Sequence, residues 1–187
     1  TQDFLSSKYA ESCEGILRSR GYEIVTEQEM RQMSDTVTPQ GILALARQKR
    51  VRGLRELLEL PGKEREPLLV ILETLQDPGN LGTILRAAEA AGATGILMDR
   101  SCVDIYSPKV VRSTMGALFR VPFLCVEDLL EAVDQLRAGT PHPEGKGLKI
   151  YAAHLKGAVD YAGVDYCGPC GLMIGNEAHG LSDALTE

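Results

Sequence analysis

The sequence has no surplus of positive charge. Its 20 Lys and Arg stand against 26 Asp and Glu, a formal net charge of -6 over 187 residues. Bulk charge therefore gives no sign of the basic chain that usually marks nucleic-acid binding. No apolar run approaches the roughly 20 residues that a membrane helix needs, so no membrane partner is expected. The opening stretch, Thr1 to Gly15, has neither a basic n-region nor an apolar h-region, and no signal peptide is read there. It also lacks a Met, so further residues ahead of Thr1 are expected. Internal repeats and low-complexity tracts are missing. What is present is ordinary for a globular chain: 44% apolar and 25% charged residues, enough for one domain of good size or two small ones.

Metal-type spacing is missing as well. No second C-x-x-C accompanies Cys167 and Cys170, and His142, His154 and His179 lie too irregularly for a zinc site, so no metal is expected. The five cysteines are an odd set, which with no signal peptide argues for a reducing compartment and a cytoplasmic location. Cys167-Gly168-Pro169-Cys170 has the sequence of a thioredoxin-type redox site. That chemistry needs the first cysteine at a helix N-terminus after a strand. Here a loop-like stretch, Asp160 to Asp165, comes before it, and a short strand signal, Gly171 to Ile174, comes after. A dithiol oxidoreductase remains one reading, and a plain Gly-Pro turn is the one that the order of elements favours. Gly139 to Gly147 looks like a phosphate-binding loop, but it has one residue too many between its glycines and no Ser or Thr after Lys146.

The pattern along the chain divides it in three. Residues 1–50 read as a small acidic α/β piece: a helix over Tyr9–Arg20 with Ile16 and Leu17 inward, a strand over Tyr22–Thr26, a helix over Glu27–Met33 capped by Thr26, and a strand over Ile42–Ala46. Residues 51–67 read as a basic and polar linker, with the boundary in the turn-rich stretch from Pro61 to Pro67. The basic run that leads into it carries Arg47, Lys49, Arg50, Arg52 and Arg55 and no acid; it fits a solvated linker or a phosphate-contacting segment equally well. Residues 68–187 alternate strand and helix. Strands are predicted at Leu68–Leu72, Gly95–Met98, Val121–Val126, Leu148–Ala153 and Gly171–Ile174. Helices are predicted at Gly79–Ala91, Pro108–Leu118 (with Ser107 as cap) and Glu127–Arg137. Such alternation implies an α/β domain with a mostly parallel sheet, whose ligands sit at the carboxyl ends of the strands.

Three of those ends are unusual. After the first strand, Asp77-Pro78-Gly79-Asn80-Leu81-Gly82 opens a helix, and Arg86 follows Asn80 by less than two turns, so both side chains are expected to serve one pocket. An Asn and an Arg at a helix start suit an anionic group; an N-cap Asn and a surface Arg explain the same residues. After the last strand, Ile174-Gly175-Asn176-Glu177-Ala178-His179-Gly180 brackets an Asn and a Glu with glycines, which permit close backbone approach to a ligand. Ile150 to His154 ends in small residues around Ala153 that leave room for a flat ring.

DPGNLGTILRAAEAAGATGILM resembles the first signature of the SpoU/TrmH family of RNA ribose 2′-O-methyltransferases in the SPOUT superfamily, and LMIGNEAHGLS resembles the second. SPKVVRSTMGALFRVPF, between them, is similar to the family's intervening helix and strand. The resemblance covers Leu68 to Glu187; the segment ending in TPQGILALA resembles part of the family's L30e-type substrate-binding domain. It implies an α/β knot fold and methyl transfer from S-adenosylmethionine to a ribose 2′-OH of RNA, ribosomal more than transfer RNA, by a homodimer. Arg86, Asn80 and Glu177 would then be the catalytic set. Arg86 would hold the RNA phosphate, Asn80 would orient Arg86 or the ribose, and Glu177 would organise its loop and pair with Arg86. Ala153, Ile174, Gly175 and Asn176 would line the cofactor pocket. The family's third signature, which completes the knot, has no counterpart before Glu187, and that leaves a non-catalytic RNA-binding relative as the alternative.

Overall fold

The continuous apolar run Leu68–Leu72 forms β1, the middle strand of a five-stranded parallel sheet. A computed structural model describes residues 1–59, 65–142, 144–157 and 159–186. They fall into two compact units, Thr1–Gln48 and Lys49–Glu187.

In the second unit the described elements run α4 (Leu54–Glu59), β1, α5 (Pro78–Ala90), β2 (Gly95–Asp99), α6 (Pro108–Ser113), β3 (Phe123–Val126), α7 (Leu129–Ala138), β4 (Lys149–Ala152), β5 (Cys170–Ile174) and α8 (Asp183–Thr186). The strand order is β3-β2-β1-β5-β4. β1 pairs with β2 in register Leu69 to Gly95, and with β5 in register Leu68 to Cys170. Because side chains alternate along a strand, β1 feeds both faces of the sheet. Leu69 and Ile71 join Leu57, Leu58, Val133 and Leu136 on the α4/α7 side. Val70 and Leu72 join Leu81, Leu85 and Val110 on the α5/α6 side. Burial on both faces is why the strand reads as an unbroken apolar run.

The first unit has α1 (Gln2–Leu5), α2 (Lys8–Arg20) and α3 (Glu27–Met33). Thr26 caps α3 as expected and forms a reciprocal capping box with Glu29.

The structure departs from the sequence reading in several places. Residues 22–26 and 42–46 have no regular structure, so the two expected strands do not form; a strand is held by ladder hydrogen bonds, and no described segment supplies them. Ile16 faces outward at 67% exposure, while Leu17 is only half-buried. The stretch read as linker contains α4, whose Leu57 and Leu58 are buried in the second unit's core; residues 60–64, which include the start of the boundary turn, lie outside those described. The single helix expected over Pro108–Leu118 breaks after Ser113. Met115 at φ 50° and Gly116 at φ 88° turn the chain, and a short 3-10 turn, Ala117–Phe119, follows. Ser107 stands at the cap position of α6 without a side-chain capping bond.

Candidate functional site

From β1 the chain proceeds outward to β2 and β3, then crosses to the far edge for β4 and returns through β5 to β1. The order reverses between β1 and β5, and an open parallel sheet leaves a crevice at that switch point. The loops after β1, β4 and β5 converge there on a cleft of about 380 Å³, lined by Leu75, Asn80, Thr83, Ile84, Ala153, Ile174, Gly175, Asn176, Glu177 and Gly180.

Two loops about a hundred residues apart are tied together at its rim. Glu177 accepts hydrogen bonds from the backbone N–H of Asp77 (2.9 Å) and of Gln76 (3.2 Å), and from the Asn80 side-chain amide (3.2 Å). Desolvation pushes the Glu177 carboxyl up. The N–H groups of Asp77, Glu177 itself and Gln76, with the Asn80 amide, outweigh it and hold the pKa at about 2. The Asn176 amide donates to the Thr74 carbonyl at 2.8 Å, while its oxygen accepts from the N–H groups of Ala178 and His179. Asn176 and Gly180 pair through both backbone groups, which folds the glycine-bracketed loop into a tight hairpin. Gly175 is sterically required, since a Cβ there would sit 2.2 Å from the Gly180 carbonyl carbon.

The loop after β1 is held from its other side. Thr74 adopts φ 52°, an uncommon conformation for a β-branched residue. Asp99, at the end of β2, accepts from its N–H (2.9 Å) and hydroxyl (3.1 Å). Leu75 N–H donates to the Cys102 sulfur at 3.3 Å, and burial pushes that thiol up to about 12, which keeps it an inert thiol.

The structure thus brings Asn80, Glu177, Ala153, Ile174, Gly175 and Asn176 to one cleft. It does not bring Arg86 there. Six residues on a helix rotate a side chain by about 240° from its starting direction, so Arg86 leaves the cleft face while Thr83 and Ile84, three and four residues after Asn80, stay on it. Arg86 is exposed and has no hydrogen bond or ion pair among the described residues; the expected Glu177–Arg86 pair and the expected Asn80–Arg86 contact are absent. The N-cap of α5 is Asp77, not Asn80. Thr83 and Ile84 went unread in the sequence although their spacing from Asn80 announces a shared face. Thr74 and Asp99 had no local signal, because only strand pairing places them side by side.

The two decoys resolve. Cys167 and Cys170 lead into β5, not into a helix, with Gly168 turning the chain at φ 81°. The Asp165 carboxylate holds the Cys167 thiol up, and burial does the same for Cys170, the opposite of an activated redox thiol. In the 139–147 loop, Gly139 caps α7 in the left-handed region, and Lys146 pairs with Glu144 (2.9 Å) and Glu66 (3.5 Å). No group of three or more metal-ligating side chains occurs among the described residues.

Comparison with known proteins places this geometry in one family. The SpoU rRNA Methylase family pattern matches residues 67–187. The human mitochondrial rRNA methyltransferase 3 is 44% identical over 98 residues, 52% of this chain and 23% of that protein. RlmP of Bacillus subtilis, a 23S rRNA (guanosine(2553)-2'-O)-methyltransferase, is 28% identical over 166 residues, 88% of this chain and 59% of that protein. An AdoMet-bound rRNA methyltransferase from Sinorhizobium meliloti superposes with a TM-score of 0.74 at 32% identity, over 95% of this chain and 64% of that one. The chain therefore spans 23% to 64% of the length of these three proteins.

Proposed function

The chain belongs to the SpoU rRNA methylase family, and from that premise we propose that it transfers a methyl group from S-adenosylmethionine to a ribose 2′-OH of structured RNA, ribosomal RNA in the first instance. The observation that carries this reading is the cleft at the β1/β5 switch point, with the Glu177 clamp at its rim and the tight Gly175–Gly180 hairpin along its lining. The residues present fit the cofactor. Gly175 permits close backbone approach, Ile174, Leu75 and Ile84 offer apolar walls, and Ala153 leaves space for a flat ring. Ile174, Gly175, Asn176 and Ala153 would hold the cofactor, which when bound supplies an electrophilic methyl on a sulfonium.

The chain's own groups position rather than react. Glu177 anchors the start of α5 through the N–H groups before it and holds the Asn80 amide at the rim. Asn80 thereby presents to the ribose. Arg86, on the exposed side of the same helix and outside the cleft lining, holds an RNA phosphate and so positions the RNA. Alignment of hydroxyl, methyl and sulfur is then a positioning effect. The same reading takes the enzyme to be a cytoplasmic homodimer, with a knotted catalytic domain and an L30e-like RNA-binding part in the first unit.

Arg86→Ala is expected to lower methylation of ribosomal RNA by about a hundred-fold, the scale of a substrate held out of position. Folding by circular dichroism and S-adenosylhomocysteine binding by calorimetry should be unchanged. Near-wild-type transfer of a radiolabelled methyl group would sink the assignment.

A further inference from the structure

The cations of the second unit are distributed unevenly. Arg52, Arg55, Arg100, Arg120, Arg137, Lys146, Lys149 and Lys156 each face a carboxylate. Among the described residues the unmatched ones are Lys49, Arg50, Arg65, Arg86, Lys109 and Arg112, and all but Arg65 gather around α5, α6 and the turn that follows. The Lys49 ammonium donates to the Phe119 carbonyl at 3.4 Å, and the Tyr106 hydroxyl donates to the Lys49 carbonyl at 2.8 Å, which pins the basic segment beside that turn. Met115 N–H donates to the Arg112 carbonyl. Along α5, Gly82, Arg86 and Glu89 share one stripe. A Cβ on Gly82 would collide with Ser113, and Glu89 pairs with Arg120, so Arg86 lies between contacts to the two ends of the 113–120 bend.

On the bend that Lys49 and Arg112 contact, two large apolar side chains stand in solvent: Met115 at 75% exposure and Phe119 at 56%. Met115 is displayed by a left-handed backbone conformation that it adopts at some cost. An exposed ring flanked by free cations is how proteins hold unpaired nucleotides, with a base stacked on the ring and phosphates at the cations. A second copy of the chain fits this face poorly, since a two-fold interface would bring the cations against themselves.

We propose that the face formed by α6, the Met115–Phe119 bend and Lys49 binds a single-stranded RNA segment flanking the methylated nucleotide, with Phe119 as the stacking platform. This rests on the methyltransferase reading for its partner and extends it to a surface outside the cleft.

The test is fluorescence anisotropy of the full chain with a labelled single-stranded RNA and with a blunt duplex of the same sequence, across a salt series. Phe119→Leu, which keeps the apolar bulk and loses the ring, is expected to weaken single-strand binding by about five- to a hundred-fold and duplex binding hardly at all. Lys49→Ala and Arg112→Ala should each weaken both RNAs and lower the slope of log affinity against log salt by about 0.7 on the single strand. Unchanged single-strand affinity in all three variants overturns the proposal. So does sedimentation showing that Phe119→Leu and Phe119→Asp dissociate a wild-type dimer while leaving RNA affinity intact, since the face then belongs to a second copy. S-adenosylhomocysteine binding is measured separately: its absence in the wild type strikes the methyltransferase reading, whereas the anisotropy result decides this surface alone.

Discussion

The two units use apolar residues in opposite ways. In the second, alternate residues of β1 supply two buried clusters, one on each face of a sheet whose strands satisfy each other's backbone groups. In the first, Met30 is the buried apolar side chain, while Tyr9, Ile16, Tyr22, Ile24 and Leu45 are more than half exposed. Its helices are held by local devices: Thr1 caps α1, and Thr26 with Glu29 boxes the start of α3. Local capping can stop and start a helix, but it contributes little against the conformational entropy of a whole domain. Stability that spreads over a structure has to come from pairing between distant segments; the second unit has a five-stranded ladder of it, whereas the first has no strand pairing and ties its ends through the Thr1 ammonium on the Gly41 carbonyl.

The sharpest way to expose that contrast is to truncate one large apolar side chain in each unit. Leu85→Ala, in a fully buried site on α5, is expected to destabilise the second unit by about 2–5 kcal/mol in denaturant unfolding. Ile16→Ala, on the open face of α2, should stay within about 0.5 kcal/mol. Similar losses at both sites would mean that the first unit has a core like the second.

A smaller effect is expected at the clamp. Glu177→Gln keeps one acceptor oxygen and replaces the other by an NH2 group that cannot accept, so Gln76 and Asp77 can no longer both be bonded, and hydrogen exchange at one of those two amides should quicken by roughly five- to ten-fold. The sign with pH follows from the direction of its shift. The carboxyl titrates at about 2 in the folded loop against an ordinary 4.5, so the clamp is complete above 4.5 and is lost as pH falls toward 2. Protection at Gln76 and Asp77, measured against each amide's intrinsic exchange rate at the same pH, should fall across that window in the wild type, and the Gln variant should show no such fall. Equal pH dependence in both proteins would remove Glu177 as the clamp.

The least costly change is at a local device. Thr26→Ala deletes the cap of α3 and should cost about 1 kcal/mol of that helix alone, read as loss of protection from Glu29 to Met33 with the second unit unmoved. Protection at Glu29 to Met33 equal to that of the wild type would remove Thr26 as the device that holds this helix.

What could be read in advance followed the range of the forces involved. The strands Leu68–Leu72 and Gly95–Asp99 and the helix α3 were legible because burial on both faces and a capping box are written in consecutive residues. The break after Ser113 was not, since Met115, Ala117 and Leu118 are good helix formers that mask the stop offered by Gly116, and Met115 itself enters the left-handed region. In the cleft, Asn80, Glu177, Ala153, Ile174, Gly175 and Asn176 were found from their loops, all at strand ends. Arg86 does not join them in the lining of the cleft, because six residues of helix rotate it away from the face that carries Asn80. Asp99 and Thr74 were missed because nothing in their own neighbourhoods shows that β2 ends beside the loop after β1.

The strand order also has a consequence for synthesis. A ribosome releases β1, β2 and β3 in sequence, and those three can assemble as soon as they emerge. The partner on the other side of β1 is β5, whose Cys170 pairs with Leu68. Until that late segment is translated, the central strand of the finished sheet is an open edge on a nascent chain, with its backbone groups offered to whatever extended segment comes by. Chaperone protection for this protein is therefore needed most in the interval between the translation of β3 and the arrival of β5.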